Sequence, residues 1–200
     1  MAKDGKKAWA SALDRHMWRP LQRNVARPAR RPSGLAERLE RIEQEAAIRD
    51  LLHSYAYCYD GNDLDGAIAV FHADCVLVNP RGTYVGIEAI GRNYRYLLAA
   101  RRFSFHHLSN IVVRFAPGGR EALSTAYFHV VQIGNAASAD AGEGTYVDRL
   151  VRQDGWRIIE RRITLNVSYA VSVLPEAWPP RPEPSRPEGS RDWIGPAWRR

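Results

Sequence analysis

The stretch LAERLERIEQEAAIRDLLHSYAYCYDGND, residues 35–63, decides the fold. Leu35, Leu39, Ile42 and Ala46 recur at three- and four-residue spacing and run on into Ile48, Leu51, Leu52 and Tyr55. That period predicts one long amphipathic helix over residues 35–58, with Ser33 placed to cap it. Asp60-Gly61-Asn62-Asp63 interrupts the pattern, and Asp63 can cap a second short helix carrying Ala67, Ile68, Val70 and Phe71.

Outward from this stretch the apolar period changes. Cys75 to Asn79 reads as a strand, Pro80-Arg81-Gly82 as a turn, and Ile87 to Leu98 as a third helix. Beyond it four long strands are expected: 103–115, 121–134, 144–153 and 156–169. They are separated by Pro117-Gly118-Gly119, the small-residue run 135–141, and Asp154-Gly155. Helices first and an antiparallel meander afterwards mean an α+β fold rather than βαβ alternation. The expected architecture is a cone-shaped barrel, a curved mixed or antiparallel sheet wrapped around the long N-terminal helix with an apolar pocket between them.

The formal charge of +7 lies entirely in residues 1–34, where nine Lys or Arg stand against Asp4 and Asp14. Pro20, Pro28 and Pro32 fall in the same arm, and seven further prolines lie between Pro175 and Pro196 alongside Trp178, Trp193 and Trp198. Three regions are therefore expected: a basic Arg/Pro-rich arm over 1–34, an α+β barrel over 35–172, and a Pro/Trp-rich tail over 173–200. The arm reads as an irregular segment; its alternative use is contact with nucleic acid or a membrane surface. No apolar run reaches the roughly 20 residues of a membrane-spanning helix, and no apolar signal core follows the early lysines, so a cytoplasmic location is expected. Cys58 and Cys75 lack metal-ligand spacing and read as free buried thiols. No glycine-rich phosphate loop is present, and neither metal nor cofactor is expected.

Polar side chains projecting into an apolar cone are the candidates for chemistry. Tyr55, Tyr59 and Asp60 come from the end of the first helix, and His106 and His107 from the first long strand. A carboxylate beside an imidazole is an acid–base device: the carboxylate sets the tautomer, and the other ring nitrogen handles a substrate proton. Strand alternation puts His106 and His107 on opposite faces, so one of them serves the pocket. Simpler readings stand beside this one. Asp60 before Gly-Asn-Asp can be a turn residue bonding its own backbone, and Tyr55, Tyr57 and Tyr59 can be helix-face core.

The run Leu39-Glu40-Arg41-Ile42-Glu43, Ala47-Ile48-Arg49-Asp50-Leu51, Tyr55 to Gly61 and Phe71 to Val76, with Phe105-His106-His107-Leu108-Ser109-Asn110 and Asp154 to Ile158, resembles the SnoaL-like group of the nuclear transport factor 2-like superfamily, of the scytalone dehydratase and bile-acid 7α-dehydratase type. The resemblance implies catalytic roles for His106, Asp60 and Tyr55, with Tyr59 in the pocket. Asn79 stands where the dehydratases have a tyrosine, and Gln132 where one has a second histidine. Arg161 lies near a polar pocket position of the group's dehydrochlorinase, although a solvated face within Glu160-Arg161-Arg162 is its simpler reading. The implied activity is that of a cofactor-independent lyase or isomerase, dehydrating a small apolar carbonyl compound of polyketide, steroid or aromatic type. A homodimer or homotrimer is implied as well. The alternative is a non-catalytic small-molecule-binding or dimer-scaffold protein on the same fold.

Overall fold

In a computed structural model, which describes residues 34–135 and 139–172, Gly34 is the N-cap of the first helix, in an extended conformation with no side-chain cap. Ser33 lies outside the described residues. Helix α1 runs Leu35–Asp60, two residues beyond the expected end. Its C-terminal half buries Ile48, Leu52, Tyr55, Ala56 and Tyr59. The first turns differ from what the period suggests: Leu35 and Ile42 are 79% and 65% exposed, because this half of α1 meets the sheet through Glu40, Arg41 and Gln44 instead.

Asn62 takes φ 61°, a left-handed conformation that asparagine tolerates, and turns the chain into α2 (Leu64–Ala69). The Asp63 side chain caps α2 by accepting from the Gly66 backbone N–H at 2.9 Å. Phe71, expected to close this helix, instead opens strand β1 (Phe71–Asn79). It pairs with Ile158 far along the chain, a partner that local periodicity cannot report. Pro80 and Arg81 turn the chain into β2 (Gly82–Val85), a strand too short to show alternation, and α3 follows over Ile87–Ala99.

Four long strands complete the fold: β3 (Arg101–Phe115), β4 (Glu121–Gly134), β5 (Ala139–Arg152) and β6 (Trp156–Ala170). The spatial order is β2-β1-β6-β5-β4-β3. Only β1 and β6 run parallel; every other pair is antiparallel. The cone is therefore the α+β architecture expected, with a mixed six-stranded sheet whose edge strands β2 and β3 do not close on each other. Residues 139–141, expected as the end of a small-residue loop, belong to β5, where Ala139 and Ala141 pair with Ile133 and Val131.

Register shifts between Ser109 and Val112 and between Glu143 and Gly144 bend the strands around α1. At Gly144 a Cβ would collide with the Thr164 carbonyl and press on the Phe128 ring, so the close approach there requires glycine. Ile48, Leu52, Leu77, Ile90, Leu150 and Ile158, one or more from nearly every layer, are fully buried at the centre. Cys75 is buried and Cys58 half-buried, both as free thiols. No described helix is long and apolar enough to cross a membrane.

Candidate active site

The last turn of α1 stacks Tyr55 and Tyr59 one above the other on the buried face, and Asp60 follows beside them. Its carboxylate is not spent on the local turn. The N–H groups of Gly61, Asn62 and Asp63 donate to the carbonyls of Tyr57, Tyr59 and Cys58 instead. Asp60 reaches across to β3, where Oδ2 accepts from the His106 backbone N–H at 2.6 Å and Oδ1 lies 2.6 Å from His106 Nδ1.

With a carboxylate on Nδ1, the tautomer assigned by hydrogen bonding carries its proton there and leaves Nε2 as the basic nitrogen. Burial pushes the His106 pKa below its ordinary value, and the Asp60 hydrogen bond and charge oppose that without overcoming it. The imidazole, its side chain 6% exposed, is thus neutral at neutral pH. The Tyr59 ring meets it edge-on at 5.2 Å. His107 faces the other side of the sheet, exposed, against Phe105 and His129. Tyr57, also pointing outward, is 79% exposed, so the tyrosine series is not a uniform core face.

Tyr55 is anchored differently. Its hydroxyl is 3.1 Å from that of Tyr94 on α3, and its ring lies under the Arg161 guanidinium at 4.3 Å. Arg161 is fully buried, not on a solvated face. Its Nε and Nη2 donate to the two carboxylate oxygens of Asp148, each at 2.8 Å, and its plane also covers Tyr146 at 4.6 Å. Burial disfavours the Arg161 charge, but Asp148 outweighs it and holds the pKa above the ordinary value. Burial pushes Tyr55 up to about 12, with the Arg161 charge pulling the other way.

Between helix and sheet lies a cavity of about 120 Å³, lined mainly by apolar surface. Tyr55, Tyr59, His106, Asn79 and Gln132 all face it; Arg161 does not, and lies behind the Tyr55 and Tyr146 rings that do. Asn79 is partly committed, since its Oδ1 accepts from the backbone N–H groups of Arg81 at 2.8 Å and Gly82 at 3.1 Å. Sequence reasoning missed Tyr94, Arg81, Arg101 and Asp140, which line the same cavity. Tyr94 could have been found from the buried face of α3. The other three sit at element ends where no periodicity operates. Among the described residues, no group of three His, Cys, Asp or Glu side chains is placed to hold a metal ion.

Comparison with known proteins bears on the fold that carries these residues. The family model of the SnoaL-like domain matches residues 40–162. Among solved structures, a proposed aromatic ring hydroxylase from Novosphingobium aromaticivorans superposes with a TM-score of 0.61 at 25% identity, covering 65% of this chain and 94% of that one. A proposed scytalone dehydratase from the same organism gives 0.61 at 23% identity, covering 70% and 94%. The hexachlorocyclohexane dehydrochlorinase LinA-type3 of Novosphingobium barchaimii gives 0.60 at 18%, covering 67% and 94%. No match is found among curated proteins. With the family model spanning most of α1, strands β1 to β5 and the first part of β6, the chain belongs to the SnoaL-like family.

Proposed function

We propose that this protein is a cofactor-independent lyase or isomerase that removes a proton next to the carbonyl of a small apolar compound, with dehydration as the overall reaction. The observation that carries the proposal is the 2.6 Å hydrogen bond between Asp60 and His106 Nδ1, at the wall of a mainly apolar cavity. An orienting carboxylate behind a neutral imidazole is what a carbon acid requires: Nε2 takes the proton, and Asp60 stabilises the imidazolium that forms. Electron density then moves onto the carbonyl oxygen, where the Tyr59 hydroxyl is placed to donate, since Arg101 already donates to its oxygen at 2.7 Å. Tyr55 serves the same oxyanion when Tyr94 acts as donor in their pair. Collapse of the enolate expels hydroxide, which leaves as water with the proton returned by the imidazolium. The net products are the unsaturated carbonyl compound and water.

The cavity volume narrows the substrate. About 120 Å³ is close to the ~150 Å³ that accommodates a benzene ring, which favours a one-ring compound over a steroid at the reacting end. A purely ligand-binding role would not need the imidazole and carboxylate in hydrogen-bond contact. The test is turnover of cyclic β-hydroxyketones by the wild type, His106→Ala and Asp60→Asn. Loss of a factor of about 100 to 10,000 in each variant supports the assignment. Activity that survives His106→Ala rejects it.

A further inference from the structure

Three charged side chains outside the Asp60–His106 pair converge on the cavity wall: Arg81 from the β1–β2 turn, Arg101 from the start of β3, and Asp140 from the start of β5. We propose that Arg81 and Arg101 bind a carboxylate of the substrate, so that the compound processed at His106 is a small carbonyl acid; this rests on the acid–base reading of that site.

The Arg81 guanidinium is half-buried and has no hydrogen-bond or ion-pair partner among the described residues. Removing an unpaired cation from water is costly, and a second guanidinium on the same wall adds repulsion. Burial lowers the Arg81 pKa, and the Arg101 charge lowers it further. An anion between the two arginines relieves both effects. Asp140 does not supply it, since it forms no ion pair with either arginine among the described residues; burial raises its pKa, with Arg101 and Arg81 opposing that.

The donors are also held in place. Asn79 Oδ1 fixes the turn that carries Arg81, and Tyr59 holds Arg101. A guanidinium fork matches a carboxylate through two parallel hydrogen bonds. Two cations against one Asp140 leave room for a single negative charge, which favours a carboxylate over a phosphate dianion.

Full-length protein is titrated by calorimetry at low salt with benzoate, benzamide and phenyl phosphate, which share one ring and differ in charge. Benzoate is expected to bind at least tenfold more tightly than benzamide. Arg81→Gln should erase that preference, Arg81→Lys should keep part of it, and Asp140→Asn should increase it. Equal binding of benzoate and benzamide, a preference unchanged in Arg81→Gln, or tighter binding of phenyl phosphate than of benzoate overturns the proposal. If Arg81→Gln does not fold, Asp140→Asn decides, and a preference that fails to rise rejects the clamp. His106→Ala should leave the benzoate preference intact, so failure of the catalytic reading and failure of the clamp are separable.

Discussion

Asp60 grips His106 twice, accepting from its backbone N–H and binding its Nδ1, each at 2.6 Å. One contact fixes where the strand lies and the other fixes how the ring is turned. Asp60→Asn keeps an acceptor for one of them and loses the negative charge behind the imidazole. Its kcat should fall far more than its stability: about 1.5–3 kcal/mol is the usual worth of a hydrogen bond to a charged group, and part of that survives. Chemical denaturation and steady-state kinetics on the same preparation check this. A kcat within a few-fold of wild type would remove Asp60 from the mechanism.

The pH dependence follows from the neutral base. Nε2 works unprotonated, and burial holds the His106 pKa below the ordinary histidine value. Activity should therefore be full at neutral pH and fall only on the acid side, as pH drops through that lowered pKa. Tyr55, at about 12, adds no basic limb in the working range. A kcat/KM profile with its acid midpoint above about 6.5 would contradict this arrangement.

The Arg161–Asp148 pair predicts a stability effect. Both side chains are buried, and truncating one leaves the other charge without a partner. Arg161→Met should destabilise the protein by about 3–5 kcal/mol, measured from urea denaturation midpoints, whereas Arg161→Met with Asp148→Leu should recover much of that loss. A double variant no better than the single would mean that packing against Tyr55 and Tyr146 dominates.

Tyr55 and Tyr94 share one hydroxyl pair but face different tasks. Tyr55→Phe keeps the ring under Arg161 and removes the donor next to the cavity, so kcat should drop by about 100-fold if it serves the oxyanion. Tyr94→Phe removes only the support and should cost less. Single-turnover kinetics on both variants separates the roles, and equal losses would make Tyr94 a direct donor too.

The sequence by itself determined the succession of elements, because three-and-four spacing in Leu35 to Tyr55 and alternation in the later strands are local properties. It also determined that His106 and His107 point to opposite faces, since the strand period is two. The family resemblance then favoured His106, and the Asp60 contact puts that ring beside the cavity. The tertiary structure alone decided what long-range pairing controls. Phe71 joins a strand because Ile158 lies beside it, and residues 139–141 pair with β4 despite their short side chains. Arg161 reads locally as part of a charged surface run, yet Asp148 and three aromatic rings enclose it. Arg81, Arg101 and Asp140 come from a turn and the starts of two strands, and only the curvature of the sheet around α1 brings their charges to one wall.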